Sequence, residues 1–238
     1  MLVAALACGK FGPGDLSRTI ALDVAAPDSL EEYDSVTPRA RLLDGHGDSV
    51  AATIVWSLPD SADTVALKLI DATTGRITVN HTGLTGRLLA RAGSFVGNPV
   101  SIRTLAAADT LFAARPVRDS VSVMATDSLS DSLQVELADT VKSSTGGDSL
   151  TVPLGGRPVV YAITYSGTGG SVGLVTSDTT RTGVTTNTVA TASSGIAFVK
   201  VRLRGSLPDS VVVTASARRA VGTPVPGSPV TFVVRFRP

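Results

Sequence analysis

Period-two alternation constrains this chain more than any other feature. It is plainest between Ser194 and Phe236, where alternating segments 194–204, 209–217 and 227–236 are separated by turn residues. In the last of them Val230, Phe232, Val234 and Phe236 fall on one side, and Thr231, Val233, Arg235 and Arg237 on the other. A two-residue repeat puts those sets on opposite faces of a strand. The same grammar recurs through the chain and predicts an all-β sandwich architecture.

The length of 238 residues fits two units, because immunoglobulin-like sandwiches run to roughly 100 residues each. Val, Ala, Leu, Thr and Ser dominate, with 23 Gly and 13 Pro as punctuation, a composition suited to short strands and tight turns. Lys plus Arg number 21 against 20 Asp plus Glu, so no global charge draws the chain to nucleic acid or an anionic membrane. Aromatics are 4% of residues, which leaves little for a base-stacking platform or an aromatic sugar-binding strip. Cys8 is the single cysteine, so neither an intrachain disulfide nor a Cys-based zinc site can form.

The N-terminus, Met1 to Gly9, is apolar and ends in small residues around Cys8. It resembles the end of a bacterial lipoprotein signal, which implies lipidation at Cys8 and a membrane link through that anchor alone. The apolar part has seven residues and no basic residue precedes it, which leaves room for a start upstream of Met1. The alternative is a chance Ala-Cys pair. Residues 1–15 are read as this segment plus a Gly/Pro-rich tether.

The first domain is read over 16–107. Ile20, Leu22 and Val24 share a face, as do Ile54 and Trp56. Further strands are expected at 37–43, 65–70, 76–79, 87–92 and 99–105, with Pro59–Asp63 as a break. Val55-Trp56-Ser57, Ile70-Asp71, Thr74-Gly75-Arg76-Ile77-Thr78, Leu88–Ala92 and Pro99-Val-Ser-Ile102 occur in order. This series resembles group 2 bacterial immunoglobulin-like domains. The resemblance implies that Trp56 is a core residue. Residues 106–118 are read as the join, with Leu111 and Phe112 packing there or starting the next sandwich.

The second domain is read over 117–238. Leu133, Val135 and Leu137 alternate inward, and Val159, Tyr161, Ile163 and Tyr165 are placed on one face. Val172–Val175 and Val184–Ala190 are further strand candidates. Gly156–Ile163, Thr191–Ala197, Val211–Ala215 and Pro229–Val233 resemble group 1 domains, the repeats of invasin- and intimin-type adhesins, although Thr191-Ala192-Ser193 lacks that family's Asp. The expected fold is therefore two tandem immunoglobulin-like β-sandwiches.

Sites of chemistry are sparse. The histidines are His46 and His81, both in turn-like settings. Nine Asp residues precede Ser at turns, where Asp caps backbone N–H groups. A sharper alternative is calcium held by Asp119, Asp127 and Asp131. Asn80-His81-Thr82 fits a glycosylation sequon, which chance also explains. Beyond Phe198 stand seven basic residues and one acid. Lys200, Arg202, Arg204, Arg235 and Arg237 form a candidate contact face for an envelope polysaccharide or a cell-surface protein. Ordinary edge protection is the alternative.

The reading is a non-enzymatic, extracytoplasmic protein without cofactors, at the bacterial envelope or secreted, used in adhesion or as a spacer. One rival is a carbohydrate- or polymer-binding module, which requires an exposed aromatic pair. A second is a hydrolase, which requires His46 or His81 beside an acid and a Ser in a pocket.

Overall fold

The computed structural model describes residues 17–123, 127–141, 150–167 and 171–237. The chain forms two compact units, divided between Leu105 and Ala106. Both are all-β sandwiches of immunoglobulin-like type.

The first unit contains β1 (Thr19–Ala25), β2 (Ser29–Glu31), β3 (Ser35–Val36), β4 (Arg39–Asp44), β5 (Ser49–Val50), β6 (Val55–Ser57), α1 (Ser61–Ala66), β7 (Leu67–Asp71), β8 (Arg76–Val79), β9 (Thr85–Ala92), β10 (Phe95–Val96) and β11 (Val100–Leu105). One sheet runs β10-β9-β11-β2, with β6 also on β9; β1-β4-β5 and β3-β8-β7 are smaller. Leu30, Trp56, Leu67, Ile77, Leu88 and Ile102 meet in the core. Trp56 is 3% exposed and faces the small Ala90 across the β6–β9 pair. Its burial agrees with the core role that the group 2 resemblance implies.

Two expectations for this unit fail locally. Ile20 is exposed, because the β1–β4 register shifts between Thr19 and Ala21. A bulge adds one residue and turns the neighbouring side chain to the other face. The stretch 59–63 is also more than a break. Asp60 is the N-cap of α1: its Oδ1 accepts from the N–H groups of Ala62 (3.0 Å) and Asp63 (3.2 Å), and Asp63 Oδ2 accepts from Asp60 N (3.1 Å). This reciprocal capping box satisfies donors that a helix start leaves open. At the other end Asn80 Nδ2 donates to the carbonyls of Thr64 and Val65, each at 3.1 Å. The amide of the sequon is thus engaged as a helix C-terminal cap.

Asp63 is nearly inaccessible and also accepts from Arg87 N (2.8 Å) and Nε (3.2 Å); Arg87 reaches Asp60 as well. Burial pushes the Asp63 carboxyl up, but the bonds from Arg87 and Asp60 and the Arg87 charge outweigh it and hold it below its ordinary 3.8. Asp71 is brought down to about 2 by the Thr73 and Thr74 hydroxyls and the Thr73 N–H. Folded values below unfolded ones mean stabilisation that is complete above the ordinary carboxylate range and lost as pH falls through it. The thermal midpoint of this unit, followed by Trp56 fluorescence, is expected to drop from about pH 4 toward pH 2. Asp63→Asn should lower the midpoint at neutral pH and flatten that acid slope; an unchanged slope would remove Asp63 from the account.

The second unit contains β12 (Thr110–Ala113), β13 (Arg118–Ser122), β14 (Asp127–Leu129), β15 (Leu133–Val141), β16 (Leu150–Pro153), β17 (Pro158–Tyr165), β18 (Ser171–Val175), β19 (Thr186–Ala190), β20 (Ile196–Arg204), β21 (Val211–Ala217) and β22 (Val230–Arg237). The first sheet runs β12-β15-β20-β14, with β16 on β15 and β18 on β20; the second runs β13-β22-β21-β17-β19. Segment 106–118, read as a join in which Leu111 and Phe112 pack there or start the next sandwich, does the latter: it contributes β12, which pairs with β15, and brings Leu111 into the core. Leu133, Val135 and Leu137 of one sheet meet Val159, Tyr161, Phe232 and Val234 of the other. Val230, Phe232, Val234 and Phe236 point inward as alternation requires. Tyr165 does not follow Val159 and Tyr161 inward: it is 47% exposed, beyond a register shift between Ile163 and Tyr165.

Candidate functional site

The terminal basic residues do not form one face. Ala197, Val199, Val201 and Leu203 of β20 are buried in the core, so alternation sends Lys200, Arg202 and Arg204 to the outer face of the first sheet. Phe232, Val234 and Phe236 anchor β22 in the same core, which sends Arg235 and Arg237 to the outer face of the second sheet. Strand pairing between distant segments, not alternation, makes this division.

Their surroundings differ too. Lys200 Nζ lies 2.6 Å from Asp178 Oδ1. Arg202 is only 3% exposed, and its Nη2 donates to the Asp178 carbonyl at 2.5 Å. Both are thus committed to the turn after β18. Arg219 is ion-paired with Asp109 at 3.0 Å, and Arg218 donates to the Gly222 carbonyl. Arg204 is exposed at the end of β20. Arg235 and Arg237 are exposed and stand beside β13, which pairs with β22 in parallel and sets Ser120 opposite Arg235 and Ser122 opposite Arg237. Arg118, Asp119, Ser120, Val233, Arg235 and Arg237 line a hollow of about 270 Å³. The sequence reading missed Arg118 because only the parallel β13–β22 pairing brings it there.

The other candidates resolve as follows. Cys8 lies outside the described residues, as does the side chain of Asp127. Asp119 spends its carboxylate on backbone donors: Oδ1 accepts from Ser120 N (2.7 Å) and Oδ2 from Asp131 N (3.1 Å). Among the described residues no group of three or more His, Cys, Asp or Glu is placed to hold a metal ion. His46 is exposed in its turn, with Nδ1 3.9 Å from Asp44 Oδ2. His81 Nδ1 lies 3.0 Å from the Val65 carbonyl oxygen, beside α1. A Gly-x-Ser-x-Gly spacing does occur, at Gly169–Gly173. A nucleophile elbow needs a strand-to-helix turn, whereas Ser171 opens strand β18.

Aromatic exposure is greater than composition suggested. Phe112 and Phe198 are 39% and 38% exposed. They belong to β12 and β20, with Glu136 opposite Phe112 and Gln134 opposite Phe198 on the intervening β15. Both aromatics therefore stand on the outer face of the first sheet. In the first unit a larger hollow of about 600 Å³ is lined by Asp23, Arg39, Arg41, Ile54, Thr73 and the rim of Trp56. The Arg41–Asp23 ion pair (2.9 Å) sits at it.

No family model matches the chain, and no curated protein matches it. Among solved structures it is similar to domains 4 and 5 of the S-layer protein SbsC, at 14% identity and a TM-score of 0.31, covering 92% of this chain and 99% of that one. It is also similar to the D00-D0 domain of intimin, at 15% identity and a TM-score of 0.31, with 92% and 99% covered. The adhesin InvE of Yersinia pseudotuberculosis shares 16% identity at a TM-score of 0.37, with 91% and 59% covered. Identities and scores at this level carry nothing about function.

Proposed function

We propose that this chain is a non-enzymatic, extracytoplasmic surface protein of a bacterial envelope, whose two immunoglobulin-like sandwiches serve in adhesion or as a spacer. The observation that carries the proposal is the architecture itself. Two packed β-sandwiches follow one another, their cores closed by Trp56 in one and Tyr161 and Phe232 in the other. Function on such a fold resides on outer faces and loops. The group 2 and group 1 resemblances of the two halves point the same way, as does the exposure of both histidines. Lipidation at Cys8 completes the proposal as an anchor. In the cells that encode the protein, labelling with a fatty-acid analogue should mark it and Cys8→Ser should abolish the label. Protease added to intact cells should degrade it, and deletion of its gene should reduce attachment or surface reach. Protease protection in intact cells, with recovery in the cytoplasmic fraction, would overturn the proposal.

Phe112, Phe198, Gln134 and Glu136 favour a second reading, a saccharide-binding face. Aromatic planes flanked by polar side chains suit a sugar ring, whose axial C–H groups stack on them. Glycan-array binding by the intact chain that is lost in Phe112→Ala/Phe198→Ala would support it over a plain spacer.

A further inference from the structure

Three guanidinium groups line one hollow of the second unit with a single carboxylate among them. Arg118, Arg235 and Arg237 line it together with Asp119, Ser120 and Val233. The register places Arg118 beside Val233 and Ser120 beside Arg235 on adjacent strands. Strands about 4.8 Å apart, with about 6.7 Å between alternate residues of one strand, keep the three cations within a single short row. Asp119 is the acid nearest in sequence, but both its oxygens accept backbone N–H bonds. Among the described residues these three arginines have no ion pair.

Edge protection explains Arg118, which stands on the terminal strand of its sheet. It does not explain Arg235 and Arg237. Strand β22 is interior to the sheet order and is paired with β13 along 233–237. The positions are also held firmly, because the alternate residues Val234 and Phe236 are buried. A row of fixed, like-charged guanidiniums repels itself when empty. Oxyanions that accept paired N–H bonds from each fork relieve that repulsion.

We infer that the Arg118–Arg235–Arg237 row is a binding site for an extended anionic polymer carrying phosphate or carboxylate groups. The Ser120 and Ser122 hydroxyls supply neutral donors along the same row, and Val233 supplies an apolar floor. This deepens the proposed adhesion role by naming its surface and partner chemistry, but the site can be tested on purified protein without any cell. Lys200, Arg202 and Arg204 take no part, since they stand on the other sheet.

The test uses the whole chain and three immobilised probes: long-chain inorganic polyphosphate, polygalacturonate, and vesicles of phosphatidylcholine with phosphatidylglycerol. Binding to one or both polymers is expected, weakening steeply as salt rises because each contact releases counterions. Arg118→Ser/Arg235→Ser/Arg237→Ser should weaken it by about tenfold or more. The control Lys200→Ser/Arg204→Ser should leave it within about twofold, since additive distant charges matter little at working salt. A folded triple variant, judged by its unchanged melting midpoint, that binds both polymers like the parent overturns the site. Equal loss in the control overturns it too, as does binding to the vesicles alone, which assigns the row to lipid headgroups instead. Should the polymers bind as expected while attachment of cells is unaffected, the site stands and the adhesion reading fails.

Discussion

Gly75→Ala is expected to unfold the first unit at temperatures where the parent is stable, with Trp56 fluorescence shifting to the red as the ring meets water. Two costs fall on this one methyl group. Gly75 has φ +75°, a left-handed conformation that costs an L-residue about 1–2 kcal/mol. A Cβ there would also lie 2.6 Å from the Trp56 ring atoms Cδ2 and Cε2. Trp56 is packed among Leu30, Leu67, Ile77, Leu88 and Ile102, so relieving the clash means shifting those neighbours or pushing the ring toward the hollow it rims. Overpacking of a closed core adds about 1–3 kcal/mol. The sum is a large share of the roughly 5–15 kcal/mol by which whole domains are stable. Gly47 separates the two costs: its φ is +86°, but a Cβ there meets nothing within 4 Å. Gly47→Ala should therefore show only the backbone penalty. Since the chain has a single Trp, its emission reports on this unit alone. Equal midpoints for Gly75→Ala and Gly47→Ala would refute the ring contact, and Trp56→Phe, followed by circular dichroism because it removes the fluorophore, should partly rescue Gly75→Ala if it is real.

That contact marks the limit of what alternation reveals. Strand faces were legible wherever the pleat is uninterrupted: Leu133, Val135 and Leu137, or Phe232, Val234 and Phe236, are inward as read. The misses sit where local geometry breaks the count. Ile20 and Tyr165 each lie at a register shift, which no side-chain pattern announces. The stretch 59–63 was read as a break, while Asp60 and Asp63, three residues apart, were a helix signal already present. The candidate contact face failed for a different reason. Alternation states which residues point outward from a strand, but not which sheet the strand joins. Lys200 and Arg235 share an outward sense and stand on opposite sides of the sandwich, and Arg118 joins Arg235 only through a parallel pairing with a distant segment. Such pairings are set by burial across the whole unit rather than by any local run of residues.

Tyr161→Ala is expected to be the most damaging single change in the second unit, and Tyr161→Phe a mild one whose effect shrinks at high pH. The ring is fully buried, and its hydroxyl donates to the Ala197 carbonyl at 2.8 Å. Strand β17 belongs to one sheet and β20 to the other, so this bond crosses the sandwich. Truncation to Ala removes a large aromatic from a closed core, which costs about 3–5 kcal/mol. The Phe variant keeps the ring and loses only the bond, worth about 1 kcal/mol. Burial also pushes the phenol well above its ordinary 10.0, so the unfolded chain ionises first. A raised folded value means stabilisation that is complete below the unfolded value and is lost as pH rises above it. Above about pH 10 each further unit should cost the parent about 1.4 kcal/mol from this residue. Tyr161→Phe has no phenol at this position and should lack that component, so the two denaturation midpoints should converge between about pH 10 and 12, where the parent falls the faster. Tyr33 and Tyr165 are exposed and present in both proteins, so they do not separate the curves. Parallel curves across that range would mean that Tyr161 reaches solvent in the folded protein, and with it that the two sheets are not closed over this ring.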